Sequence, residues 1–403
     1  MSIRWRVASL LMTAVLTVSL GGTAMADRHR TAAADASVAK AYSFLAKKID
    51  QYGTGTTLRL PQSYTGGFFE SINFVSSFVY DDALTTIAFA KEGSAARLGQ
   101  ARVLGDAILY AQQHDPLADG RTRASYQPDP FITADGSPYI GSPAANTGNQ
   151  AWAGMALAHL YQRTGDRKYR DGALRLANWI QDRTWNGAGV PGYTGGRDAN
   201  DVAFTFKATE HNIDVGAFFA MVARQTGDSR WSSRSARAFS FVSAMVDQQA
   251  GMIWTGTQPD GVTINRDPIP EDVQTWAYLA TKDRRYSRAV DWVVNTLSTS
   301  DGGFTGVSYS STDVSKVWFE GTAHLVAALD LRKARGDDAR IASLLGALRA
   351  AQASAPNADG EGLVAASSDG LDTGFGDLYY ASLHTGATAW YLLAAQRINP
   401  FVL

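Results

Sequence analysis

Glu210 and Asp214 stand four residues apart in KATEHNID, residues 207–214, directly before the apolar run Val215 to Ala223. On a helix, that spacing puts the two carboxyls on one face, one turn from each other. Like charges so placed repel, and burial disfavours the anion further, so one carboxyl tends to keep its proton toward neutral pH. Such a group is a general acid. Hydrolysis of a glycosidic bond needs one, with a second carboxylate on the other side of the sugar. Glu210 is the first choice for the acid. His211, Asn212 and Asp214 are assigned to contacts with the bound molecule.

The partner carboxylate should come from another part of the chain, because an inverting mechanism separates the two groups by roughly 6.5 to 9.5 Å with a water between them. Glu320 in VWFEGTAH is one candidate, set between Trp318-Phe319 and Gly321, a setting that desolvates it. Asp81 and Asp82 in FVYDDA are the others, with Asp272 behind them. All these acids, with Gln150 and His384, fall at the starts of apolar segments. The competing explanation is capping, since Asp, Glu, Asn and Thr are favoured at helix N-termini as caps and dipole partners. Capping does not account for the flanking aromatics, or for Asp214 inside an otherwise apolar helix. Likewise a lone histidine such as His211 or His384 is as well explained by a hydrogen bond in the core.

The elements that would hold these residues come in two kinds. Amphipathic, Arg-rich stretches are predicted as outer helices at Ser94 to Gln113, Arg167 to Asp182, Arg230 to Val246, Arg284 to Leu297 and Asp337 to Gln352, after a first one at Ala36 to Ile49. Between them lie segments rich in small residues and apolar nearly all round: Leu84 to Ala90, Ala151 to Tyr161, Ile213 to Ala223, Val273 to Ala280, Thr322 to Leu331 and Ala387 to Ala395. These read as helices packed on both sides. The alternation predicts an all-α chain of twelve helices in six hairpins. Inner-to-outer connections are short and turn-like (KEGS, RTGDR, QTGDS), whereas the others are long, which in a compact domain marks function. The long ones would share one end.

This pattern, with the motifs YDDA, TEHNID, WFEGTAH and TGATAW, resembles the six-hairpin glycosidase superfamily of secreted bacterial type. The resemblance spans the whole mature chain. It implies an (α/α)6 toroid whose six inner-helix starts converge on one depression, and an activity among glycoside hydrolases, polysaccharide lyases and sugar epimerases.

Aromatic side chains in the long loops would serve as platforms for a pyranose face: Trp185, Tyr193, Trp254 and Trp318, with Phe304 beside them. The matched Trp152, Trp276 and Trp390 read as core. A lyase would need cations to neutralise a uronate. Most basic residues sit on the outer helices, so hydrolysis is favoured, though Lys207 and Arg197 keep the lyase open. A non-catalytic glycan-binding toroid is the third reading. No HExxH, GxSxG or phosphate-loop motif occurs, so no metal and no cofactor are expected.

Residues 1–26 carry Arg4 and Arg6, an apolar stretch from Val7 to Leu20 and Ala24-Met25-Ala26, which predicts a cleaved secretory signal peptide and an extracellular protein. Without them 35 basic and 38 acidic side chains remain, a balance that does not favour nucleic acid. There is no cysteine, so neither disulfides nor thiolate chemistry contribute. With no linker-like tract, residues 27–403 are expected to form a single domain, a monomer off the membrane whose partner is a carbohydrate substrate.

Overall fold

The computed structural model describes residues 32–403; the expected signal segment lies outside the described residues. Twelve long helices alternate between an outer and an inner position. In chain order the pairs are α1 (32–50) with α2 (Val79–Glu92), α3 (Ala95–Gln113) with α4 (Thr147–Thr164), and α5 (Arg167–Thr184) with α6 (Thr209–Thr226). The second half repeats this with α7 (Ser229–Ala244) and α8 (Glu271–Thr281), α9 (Ser287–Thr296) and α10 (Phe319–Arg332), and α11 (Asp337–Ser354) and α12 (Thr385–Ala395). Each even-numbered helix touches the next, and α12 returns to α2, so the inner six close a ring: an (α/α)6 toroid. Among the described residues no helix is long and apolar enough to cross a membrane.

Small residues on the inner helices let them approach. A Cβ at Gly154 of α4 would lie 2.1 Å from the ring of Phe218 on α6, so only glycine fits that contact. Tight turns at the far end follow a rule: α2, α4 and α6 end in a left-handed glycine, followed at once by Ser94, Asp166 or Asp228, whose side chain caps the next outer helix.

The opposite end is built differently, and the difference decides where the chemistry lies. The cap positions of the inner helices are Phe78, Asn146, Ala208, Pro270, Trp318 and His384, and only His384 offers a side-chain cap. A neighbouring loop does the work instead. The first helical N–H donates to a carbonyl of the loop one hairpin further round: Val79 to Ala124, Thr147 to Gly195, Thr209 to Thr255, Glu271 to Tyr309, Phe319 to Ala365 and Thr385 to Ser63. The cap residues pair with the same loops in short β-bridges, Phe78 with Ser125 through to His384 with Tyr64. A closed collar thus satisfies backbone donors that side chains ordinarily cap, and leaves the first-turn side chains free.

This also moves the helix starts. The apolar pattern begins the inner helices at Leu84, Ala151, Ile213, Val273, Thr322 and Ala387, whereas all six begin two to five residues earlier and place the reactive residues inside the first turn.

Candidate active site

Counting from the cap residue gives each first-turn position one job. The second residues are Tyr80, Gly148, Glu210, Asp272, Glu320 and Gly386, and the four with side chains line one chamber on the ring axis. The two glycines leave room: a Cβ at Gly148 would stand 2.6 Å from His211, and one at Gly386 2.5 Å from Asp81. Four residues on, one turn deeper, lie Leu84, Trp152, Asp214, Trp276, His324 and Trp390, which make the floor.

The fourth residues, Asp82, Gln150, Asn212, Gln274, Thr322 and Thr388, turn sideways. Each accepts a hydrogen bond from the long loop that precedes its own helix, at 2.8 to 3.1 Å.

Several assignments from sequence are therefore corrected. Asp82, Gln150 and Asn212 are fully buried clamps, and none lines the cavity. Asn212 accepts from the Tyr193 N–H at 2.9 Å and donates to Tyr193 O and Ala208 O. Tyr193 is itself buried, while Trp185 and Trp254 stand outside the cavity with Arg237 and Arg266 over their rings. Asp214 lies under His211 in the floor and does not line the cavity either. Phe304 packs on Phe319 in the core. For Asn212→Ala the expected result is a loss of about 1–3 kcal/mol of stability from the unpaired Tyr193 backbone groups, read as a lower Tm, with KM unchanged.

Glu210, His211, Asp81, Asp272, Glu320, Trp318 and His384 do line it. The sequence reading left out other participants: Tyr80, His324, Glu271, Tyr64, Tyr309 and Tyr379. The Tyr80 hydroxyl donates to Glu320 Oε1 at 2.6 Å and accepts from the Trp390 indole N–H at 2.8 Å. His324 Nδ1 sits 3.0 Å from Glu271 Oε2 and its Nε2 3.7 Å from Glu320 Oε1, with the ring among Trp276, Trp318 and Trp390. Its signal was the Glu-x-x-x-His spacing in WFEGTAH, the same one-turn relation that joins Glu210 to Asp214. His384 stacks on Tyr64, ring centroids 4.2 Å apart, with Nε2 3.4 Å from Asp81 Oδ1 and Nδ1 3.4 Å from Glu320 Oε2. Nδ1 is also 3.2 Å from the Ala387 N–H. A proton on Nδ1 thus faces Glu320, and a bare Nδ1 caps α12.

These surroundings drive the two glutamates apart. Burial and the charge of Glu320 push the Glu210 carboxyl up to about 7, against an opposing pull from His324. For Glu320, burial works against the anion, yet His324, His384 and the Tyr80 hydroxyl outweigh it and hold the carboxyl below its usual range. Burial and Glu210 raise Asp214 and Asp272 well above theirs. His324 must overcome burial too, and its bonds to Glu271 and Glu320 raise it to about 9. Burial alone takes His211 down to about 4, so it is neutral.

A stability profile follows. Glu210 and His324 keep protons in the fold at pH values where the unfolded chain has released them, so the native state binds more protons between pH 7 and 9 and stability falls as pH rises. His324 is fully buried and contributes on the order of 3 kcal/mol, present below its unfolded value and lost on passing about 9. The expected observation is a Tm that drops from pH 7 to 9, less steeply in Glu210→Gln, whose amide has no proton to lose.

No family model and no curated protein matches the chain by sequence. Its fold is shared by solved structures of a sugar epimerase and of glycosidases. A cellobiose 2-epimerase from Bacillus thermoamylovorans superposes with a TM-score of 0.65 at 12% identity, covering 88% of this chain and 96% of that one. A family 76 glycoside hydrolase (mannosidase) from Bacteroides thetaiotaomicron gives 0.59 at 12% identity over 89% and 97%. For a glycosidase in complex with glucose the values are 0.63 and 14%, over 93% and 99%.

Proposed function

We propose that this protein is an exported glycoside hydrolase, with Glu210 as proton donor and Glu320 as the ionised carboxylate that attacks the anomeric carbon or activates water. One observation carries the reading: two carboxyls that line one chamber, on α6 and α10 either side of α8, are pushed in opposite directions, one toward neutral pH and one below the ordinary range. Pairs of titratable groups driven apart in this way mark acid and base. The fold alone does not pick the reaction, since it also carries an epimerase.

The lyase reading loses its support. No Lys or Arg lines the inner or the outer space among the described residues. Lys207 is bound to the carbonyls of Ala188, Val190 and Gly261, and Arg197 to Asp201. A uronate would meet Asp81, Asp272 and Glu320, and the imidazole of His384, whose cation Asp81 and Glu320 favour, is already held by those two carboxylates. The test is a panel of polysaccharides assayed in parallel for new reducing ends and for absorbance of an unsaturated uronate. Reducing ends without that absorbance are expected. Absorbance would establish a lyase, and glycan binding with neither signal would establish a non-catalytic binder.

A further inference from the structure

The depression has two compartments. The inner one measures about 230 Å³ and the outer about 950 Å³, and they share the lining residues Tyr64, Phe78, Glu210, Tyr309 and Tyr379. Four aromatic rings and the acid therefore form the neck. Glu320, Asp81 and Asp272 face only the inner compartment. Below it the axis of the ring is blocked: Trp152, Trp276 and Trp390 are buried, and Phe401 packs beneath them at 5.2 Å from Trp152 and 5.5 Å from Trp276. A polymer does not thread through this floor; only an end can enter.

The size of the inner compartment sets how much of that end fits. At ~30 Å³ per liquid water it corresponds to about eight waters, the space of one pyranose with its hydroxyls and not of two. With the proton donor at the neck and the second carboxylate inside, the bond to be cut crosses the neck. The anomeric carbon then belongs to the buried unit, and the leaving oxygen to the chain outside.

We propose that the protein is exo-acting: it takes the uncharged non-reducing end of an oligosaccharide or glycan into the inner chamber and releases one monosaccharide per event. This rests on the hydrolase reading. The anomeric C–O bond breaks and the leaving oxygen receives the proton of Glu210. One water is consumed; its hydroxyl ends on the anomeric carbon of the released sugar, and its other proton restores the acid. The inner lining carries Asp81, Asp272 and Glu320 and no Lys or Arg, and its imidazole, His384, is already paired with Asp81 and Glu320, which disfavours an anionic terminal unit. The neck rings of Phe78, Tyr309 and Tyr379 stand beside the first unit of the leaving chain.

The test uses the wild-type protein and neutral gluco-, galacto- and manno-oligosaccharides of two to six units bearing a chromophore at the reducing end. Early time points should contain a monosaccharide and a labelled chain shorter by one unit. Blocking the terminal 4- and 6-hydroxyls with an acetal should slow release by about 100-fold or more, since the capped ring no longer fits the chamber. First products two or more units long, or release indifferent to the block, would overturn the exo assignment while leaving hydrolysis standing. No release from any of these substrates would overturn the hydrolase reading beneath it.

Discussion

Replacing Glu210 by Gln is expected to lower kcat/KM on an unactivated oligosaccharide by ~10²- to 10⁴-fold, the usual contribution of a positioned general acid, while the affinity for the uncleaved sugar changes little. The side chain keeps its shape and its place on α6. What it loses is the proton that burial and the anion of Glu320 hold on the carboxyl up to about pH 7. The wild-type rate should therefore fall as pH rises through that value, as the acid becomes ionised. In the Gln variant that alkaline limb disappears, because no group remains there to deprotonate. A glycoside whose leaving group is already acidic needs less protonation, so the loss on it should be much smaller. A uniform loss on both substrates, or an unchanged alkaline limb, would sink the assignment.

The alternation of Arg-rich and small-residue segments made the toroid legible, because outer helices face water on one side and inner helices on none. Register was harder. Stretches such as TEHN and WFEG read from the sequence as lying before the helix, since side-chain caps normally mark its start. Here the caps are a phenylalanine, an alanine, a proline and a tryptophan among others, because the next loop's carbonyls take the first N–H. Without the true start, the second, fourth and sixth residues look equivalent. They are not: Glu210 meets the chamber, Asn212 clamps a loop, and Asp214 sits in the floor. The same slip gave weight to Asp82 over Tyr80 and left His324 unremarked. Of the loop aromatics only Trp318 reaches the cavity, and the others failed as platforms for another reason. Ring faces in the collar are used by neighbours, Tyr193 under Trp185 and Tyr64 against His384, and nothing local in the sequence distinguishes a ring that packs from one that is offered.

Glu320→Gln should cost ~10²- to 10³-fold in kcat, the scale on which loss of one preorganised electrostatic partner at a reacting centre is felt, and its effects should spread to groups it touches. The Glu320 anion is the second cause, after burial, of the raised Glu210 carboxyl. With it gone, and with the imidazolium of His324 still in place, Glu210 should ionise at lower pH. The alkaline limb of the residual activity then moves toward acid, whereas Glu210→Gln removes that limb altogether. His324 loses one of its two carboxylate partners and His384 one of its two. Both imidazoles should lose their protons at lower pH, so the decline in Tm between pH 7 and 9 should begin earlier. A further drop of about 1–3 kcal/mol is expected at pH 7, from a buried Tyr80 hydroxyl and two histidines that no longer face an anion. If Glu320 were only a structural partner of His324, stability would fall with the alkaline limb of the rate unmoved. Movement of that limb, measured on the folded variant, is what ties Glu320 to the acid across the chamber.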